Sequence, residues 1–236
     1  MSLWLSAALV IYMAFVSPLL GKRSYARLER DGRLLSRMYG LWMAELWGMT
    51  AVAFLIVGLS PRLDLARTGF AVPEDPLLTV AVLAGVVVAT GAVLLTTRRA
   101  GGAGGPLPGQ APFEAMIPRT PAERRLALAM SVTAGVCEEI VYRGLLIALG
   151  VHLLRLPLPV AAGLALAVFV AGHLYQGWKG MLAVTVAGFA LTMLYVKTGS
   201  LLLPVIVHAL VDVRSLLFAG NARPQRRMED PATVRG

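Results

Sequence analysis

The sequence predicts an all-α fold, a polytopic membrane helix bundle with about seven transmembrane helices, or eight if one of the longer segments breaks. Of its 236 residues, 57% are hydrophobic and only 15% are charged, whereas about a quarter are charged in an ordinary soluble domain. The mean hydropathy is +0.72. Apolar runs of about twenty residues, each long enough to cross about 30 Å of hydrocarbon, recur along the chain. A soluble core does not need such runs.

Seven apolar runs account for the predicted helices. They lie at about 3–20, 40–59, 77–97, 121–149, 159–177, 180–197 and 200–219. The fourth run has a clear start, because Thr120-Pro121-Ala122-Glu123 places a hydroxyl at the N-cap, proline at the first helical position and glutamate where a capping box requires it. We therefore expect a helix to begin at Pro121.

A change of composition divides the chain between the third and fourth runs. The segment Gly-Gly-Ala-Gly-Gly-Pro-Leu-Pro-Gly is typical of a flexible linker and has no apolar periodicity. Four regions follow from this division: a three-span N-terminal region (1–99), a Gly/Pro-rich cytoplasmic linker (100–119), a four-helix core (120–220) and a basic cytoplasmic tail (221–236).

The basic residues lie in alternate loops, which predicts the orientation of the chain. With the N-terminus outside, the loops that would face the cytoplasm hold most of them: Lys22, Arg23, Arg27, Arg30, Arg33, Arg37, Arg98, Arg99, Arg119, Arg124, Arg125, Lys179 and the basic tail. The outside loops hold Arg62, Arg67, Arg155 and Lys197. This bias follows the positive-inside rule and predicts a cytoplasmic C-terminus. It also accounts for the net charge of +9 without a nucleic-acid partner.

A polar cluster interrupts the fourth run, in Gly135-Val136-Cys137-Glu138-Glu139-Ile140-Val141-Tyr142-Arg143-Gly144. An ionised group near the bilayer centre costs about 2.5–3.5 kcal/mol, so such groups face a protein interior or a wet cavity and have partners. Glu139 and Arg143 are four residues apart and share a helix face as a favourable pair. Glu138 points about 100° away and is free to face another group. Glu139 and Arg143 are therefore predicted to be structural support.

Two later runs carry further ionisable side chains. His173 lies near the predicted cytoplasmic end of the fifth run, and His208 and Asp212 lie four residues apart in the seventh. The desolvation cost of acid and imidazole groups on three helices is most easily offset if they converge on one another or on water. From the residues alone, a structural polar cluster, a proton relay and a catalytic site all remain open.

In order along the chain, Glu-Glu-x-x-x-Arg, Phe-x-x-x-His and His-x-x-x-Asp resemble the CPBP family, which includes the type II CAAX prenyl endopeptidases and the bacterial Abi-type membrane proteins. The resemblance covers about residues 118–220 and is supported by Tyr142-Arg143-Gly144 and by Gln176-Gly177. It implies an intramembrane endopeptidase that hydrolyses a peptide bond of a membrane-associated protein or peptide with a glutamate-activated water. The region 120–220 would be its catalytic core, around a cavity that opens toward the cytoplasmic half.

The resemblance also implies roles for individual residues. Glu138 would be the general base, His173 would hold and polarise the water, and His208 with the residue at 212 would stabilise the oxyanion. Family members often carry asparagine at the last position, whereas an ionised aspartate cannot donate a hydrogen bond. Asp212 is therefore either protonated or orients His208, as the aspartate of a Ser-His-Asp triad does. We expect the second role, because the spacing places both side chains on one face.

Three alternatives remain at this point. No cofactor is expected, but two histidines and a glutamate are a known zinc set, so Glu138, His173 and His208 would be the ligands of a zinc metalloprotease. A proton-coupled transporter would use the same residues as a relay, although it would usually show internal repeats that this sequence lacks. A non-enzymatic bacteriocin-immunity or scaffold protein is the third. The composition, rich in alanine, arginine and glycine, suggests a bacterial cell (inner) membrane.

Overall fold

The computed structural model describes residues 2–99 and 111–217, and this part of the chain forms seven long helices. Helix α1 covers 2–30 and is built from Ser2–Ile11, a π-helical turn at Tyr12–Val16, and Ser17–Arg30. Helix α2 is Gly32–Leu59, beginning with one 3₁₀ turn, and α3 is Pro76–Arg99. A short 3₁₀ turn at Ala111–Met116 precedes the second half.

The second half contains the remaining four helices. Helix α4 covers 121–153 and consists of Pro121–Glu138 followed by two π-helical segments, Glu139–Leu146 and Leu149–Leu153. Helix α5 is Leu158–Gly172, a 3₁₀ turn follows at Leu174–Gln176, and then come α6 (Gly177–Thr198) and α7 (Leu202–Leu217). Each of the seven predicted runs coincides with one helix, so the all-α bundle is confirmed. The tail 221–236 and residues 100–110 of the linker lie outside the described residues.

The predicted start of α4 is present in full. The Thr120 hydroxyl accepts a hydrogen bond from the Glu123 amide at 3.1 Å, and the Glu123 carboxylate accepts one from the Thr120 amide at 3.0 Å. Two of the amides that a helix leaves without an internal partner are satisfied in this way. The capping box therefore defines where α4 begins, and with it the position of the acidic residues further along.

The outer helices are suited to lipid and the central ones are not. In the described part of the chain, three helical stretches are long and apolar enough to cross a membrane, Leu3–Arg30, Gly32–Leu59 and Leu174–Thr198, and two shorter ones are also apolar, Pro76–Ala92 and Leu158–Gly172. Large apolar side chains such as Trp4, Leu77 and Trp178 are exposed on the outside of the bundle. By contrast, every residue of the π-helical segment Glu139–Leu146 is buried. The protein is an integral membrane protein whose charged helix is shielded by the others.

Helices α4 and α7 approach each other closely at one glycine. A Cβ atom placed on Gly135 would lie 2.8 Å from both the Cβ and the backbone nitrogen of Ala209. Because the obstruction is partly backbone, no side-chain rotation could relieve it. Ala209 directly follows His208 in the chain, so this contact determines how near the imidazole comes to the acids on α4.

Gly135→Val is expected to destabilise the protein by about 1–3 kcal/mol, the usual cost of overpacking a well-filled interior. For a protein of this size, each kcal/mol lowers the thermal midpoint by about 2–4 °C. Thermal unfolding of the purified protein in detergent measures the effect. Gly48→Ala on α2 is the control, because no described atom lies within 4 Å of its added Cβ. A Gly135→Val protein that melts with the wild type would contradict the close approach.

Candidate active site

The arginine of the polar cluster is completely enclosed by its partners. Arg143 and Glu139 are 2% and 0% exposed. The Arg143 guanidinium donates to Glu139 Oε1 at 2.9 Å and to the Gly188 carbonyl at 3.1 Å, and it lies 4.2 Å from the centre of the Phe169 ring. Such a buried charge is tolerated only with this quality of pairing. Arg143 thereby connects α4 to α5 and α6, as the predicted structural pair requires.

The same carboxylate oxygen also binds the histidine of α7. His208 Nδ1 lies 2.6 Å from Glu139 Oε1. The Arg143 guanidinium, which is only a donor, already donates to this oxygen, and a carboxylate oxygen in such a pair accepts hydrogen bonds. His208 therefore carries a hydrogen on Nδ1 and donates it to Glu139. A single oxygen atom thus connects α4 to α7 and determines how the imidazole is oriented.

The other edge of the imidazole faces two carboxylates. His208 Nε2 lies 3.8 Å from Glu138 Oε2 and 3.8 Å from Asp212 Oδ2. The structure thus differs from the expectation that Asp212 orients His208, because Glu139 occupies the orienting position at Nδ1. Helical spacing correctly predicts that Asp212 lies beside the ring, but it does not indicate which nitrogen each acid meets. The two adjacent glutamates, expected to point apart, lie beside different nitrogens of one ring, Glu139 at Nδ1 and Glu138 at Nε2 of His208.

The two adjacent glutamates each have a buried Oε2 atom without a hydrogen-bond partner among the described residues, but only Glu138 lines a cavity. The volume of this cavity is about 100 Å³. A buried carboxylate oxygen without a donor is costly, and a cavity needs only about 10–15 Å³ to hold a water molecule. The site is therefore suited to a water molecule that donates to Glu138.

His173 lies at the same cavity, immediately after the last residue of α5. Its Nδ1 donates to the Phe169 carbonyl at 2.9 Å, which leaves Nε2 as an acceptor on the neutral ring. The Tyr175 ring stacks on the imidazole with centroids 6.0 Å apart. The structure therefore brings Glu138 and His173 to one cavity, with His208 and Asp212 beside Glu138.

One wall of this cavity comes from the N-terminal region, which the sequence analysis did not assign to the site. The last four helices were expected to enclose the cavity by themselves. Helices α1 and α2 also line it, through Ser17, Gly21, Trp42, Glu45, Leu46 and Met49. One signal could have indicated this: Glu45 is a carboxylate within an apolar run, and such residues usually face a cavity or a partner.

The zinc alternative lacks a suitable set of ligands in this structure. Within residues 2–99 and 111–217, no group of three or more His, Cys, Asp or Glu side chains is arranged to hold a metal ion. In both histidines Nδ1 is bound to an oxygen, so Nε2 is the nitrogen that would face a ligand. Glu138, His173 and His208 are not gathered into a metal-binding group in this part of the chain, and the mechanism below contains no step through a metal.

Arg143→Met should cost about 3–5 kcal/mol of unfolding free energy, because it leaves the Glu139 charge buried without its cation. Equilibrium unfolding in mixed micelles measures the loss. Arg125→Met on the exposed first turn of α4 is the matched control and should stay within about 0.5 kcal/mol of the wild type. Equal losses in the two variants would show that the Arg143 pair does not stabilise the bundle.

Residues 121–214 match the family model described as type II CAAX prenyl endopeptidase Rce1-like. Searches of curated proteins and of solved structures found no match. The matched segment begins where α4 begins and contains every predicted site residue, whereas α1, α2 and α3 precede it. Residues 121–214 are therefore a domain of the Rce1-like type II CAAX prenyl endopeptidase family, as the CPBP resemblance predicts.

Proposed function

We propose that this protein is an intramembrane endopeptidase in which Glu138 activates a water molecule to hydrolyse a peptide bond of a membrane-associated protein or peptide. The observation that carries the proposal is the buried Glu138 Oε2, which lacks a hydrogen-bond partner among the described residues. Glu139 Oε2 shares this property, but Glu138 is the one of the two that lines the same cavity as His173. The family match of residues 121–214 supports peptidase chemistry for this segment.

In this mechanism, two residues hold the attacking water. One hydrogen of the water bonds to the Glu138 carboxylate, and the other bonds to Nε2 of His173, whose Nδ1 is occupied by the Phe169 carbonyl. Glu138 takes the first proton as the water oxygen bonds to the carbonyl carbon of the substrate. The resulting tetrahedral intermediate collapses when the C–N bond breaks, and Glu138 passes its proton to the departing amine. The products are a carboxylic acid and an amine.

His208 stabilises the negative oxygen of that intermediate. Its Nδ1–H is held by Glu139, and the charges of Glu138 and Asp212, each 3.8 Å from Nε2, stabilise a proton there. In the imidazolium form, Nε2–H is a donor that can bind the oxyanion. A donor positioned in advance in a site that excludes bulk water is worth more than the same donor in water. Asp212 acts in this account by its charge, beside the ring.

The membrane is the partner that presents the substrate. Three helices of the described chain are long and apolar enough for the span. The basic residues that precede α2 support a topology with the N-terminus outside and the C-terminus in the cytoplasm. The cavity includes His173, which directly follows α5 and lies on the cytoplasmic side in this orientation. A bacterial cell membrane fits the composition. The proposal requires a membrane-associated polypeptide and does not depend on a lipid modification of that polypeptide.

Glu138→Gln is expected to reduce proteolysis by at least about 10²-fold, because an amide cannot accept the proton of the attacking water. Membrane fractions that contain the wild type or the variant are compared by mass spectrometry for new N-termini. Glu29→Gln, at an exposed position of α1, is the matched control and should leave cleavage unchanged. Cleavage at wild-type rates by Glu138→Gln would refute the assignment of the base.

The two acids next to His208 should respond differently to amide substitution. Asp212→Asn should stay within about tenfold of wild-type activity, since Nδ1 is held elsewhere and an amide can also donate to an oxyanion. Glu139→Gln should lose at least about 10²-fold, because the imidazole loses its anionic anchor. Initial rates on one identified substrate measure both. If Asp212→Asn lost at least about 10²-fold and Glu139→Gln stayed within about tenfold of the wild type, Asp212 and not Glu139 would be the residue that orients His208.

A further inference from the structure

A second carboxylate lines the cavity, and the proposed chemistry does not use it. Glu45 lies on α2 and is half-buried. Its Oε1 atom accepts hydrogen bonds from the Tyr12 hydroxyl at 2.9 Å and the Ser17 hydroxyl at 2.6 Å. Tyr12 is the first residue of the π-helical turn in α1, and Ser17 follows its last residue. Such turns occur frequently at functional sites.

The Tyr12 and Ser17 hydroxyls both donate to Oε1 of Glu45 and leave its second oxygen, Oε2, for another donor. No hydrogen bond to Oε2 is present among the described residues, so this oxygen can accept one from a bound molecule. The two hydroxyls meanwhile restrict the rotation of the side chain. Glu45 is therefore held in place in advance, which lowers the entropy cost of binding a ligand.

The cavity has the composition of a site for a cation. Among the residues that the structure describes, its lining contains two carboxylates, Glu45 and Glu138, and no lysine or arginine. The nearby Arg143 is already neutralised by Glu139. Aromatic and methionine side chains form much of the remaining wall: Trp42, Tyr142, Tyr175, Met49, Met116 and Met130. Aromatic faces attract cations, and methionine adapts to flexible aliphatic chains.

The electrostatics favour one class of occupant over the others. An acidic peptide side chain would meet two carboxylates at close range and be repelled. A neutral side chain would leave the Glu45 charge without a counter-ion at membrane depth, where unpaired charges are costly. A lysine or arginine side chain would neutralise Glu45 while its methylene chain contacts the methionines and aromatic rings.

We propose that Glu45 is a specificity-determining residue that binds a lysine or arginine side chain of the substrate, a few residues from the scissile bond. This inference rests on the proposed endopeptidase function and adds the class of substrate. In this arrangement, α1 and α2 select the substrate and the family domain of residues 121–214 performs the hydrolysis. Glu45 touches the substrate but no reacting atom.

The test uses the full-length protein in lipid nanodiscs and a synthetic peptide library with random flanking residues and one position varied among Lys, Arg, Gln and Leu. Cleavage products are identified and their rates followed by mass spectrometry. The wild type should prefer Lys and Arg over Gln by about 10- to 100-fold in kcat/KM, the usual value of a hydrogen bond to a charged group.

Glu45→Gln should lose this preference, mainly through a higher KM for the Lys and Arg peptides, so that Lys and Gln peptides are cleaved with similar kcat/KM. The amide oxygen still accepts from Tyr12 and Ser17, so the local structure is kept. Glu29→Gln should retain the preference, and Glu45→Asp should recover part of it. Equal cleavage of Lys and Gln peptides by the wild type would overturn the inference and leave the proposed function standing.

Two other outcomes would contradict the specificity proposal and the endopeptidase proposal, respectively. If Glu45→Gln slowed the cleavage of all peptides equally, Glu45 would have a structural role and the specificity proposal would be wrong. If the wild type cleaved no peptide and matched Glu138→Gln throughout, the endopeptidase proposal would fail, and the inference about Glu45 with it.

Discussion

The arrangement of the site depends on a single oxygen atom, Glu139 Oε1, which accepts from Arg143 on its own helix and from His208 on α7. Arg143 also donates to the Gly188 carbonyl on α6 and lies against the Phe169 ring on α5. The four helices of the family domain are thus connected through one buried ion pair. Removing either charge would leave the other unpaired away from water, so the cluster constrains both stability and the direction of the imidazole.

This constraint gives the two adjacent glutamates different roles. Glu139 Oε1 is held by both Arg143 and His208, and Glu139 does not line the cavity. Glu138, one residue earlier, lines the cavity and has an oxygen with no protein donor in the described part of the chain. The π-helical segment begins at Glu139. One helix therefore supplies both the anchor of the site and the group available for chemistry.

Much of the fold could be predicted from the sequence, because a helix that crosses the lipid must be apolar over the thickness of the bilayer. Apolar runs of bilayer length predicted all seven helices, and the Thr120 capping box predicted where α4 begins. The identity of the polar residues was also predictable, because ionisable groups are rare in such runs. What spacing could not predict was the partner of each histidine nitrogen. A separation of four residues placed Asp212 beside His208, but only the packing of α4 on α7 put Glu139 at Nδ1.

The sequence also did not predict that helices α1 and α2 line the cavity. Nothing local to α1 or α2 shows that they meet α4 and the turn after α5, and the π-helical turn at Tyr12–Val16 has no clear signature in its residues. Glu45 alone indicated a polar neighbour. Long-range contacts of this kind depend on tertiary packing. The cavity predicted from the sequence therefore lacked the wall that α1 and α2 provide.

The most direct test of this account is the protonation of His208 in the lipid-embedded protein. The chain has three histidines, so solid-state NMR of ¹⁵N-histidine-labelled protein, with one substitution at each position, assigns every signal. The account predicts a hydrogen on Nδ1 of His208 in a short hydrogen bond, and a large change of that signal in Glu139→Gln. A bare Nδ1 with hydrogen only on Nε2 would contradict it, because Glu139 could not then anchor the ring.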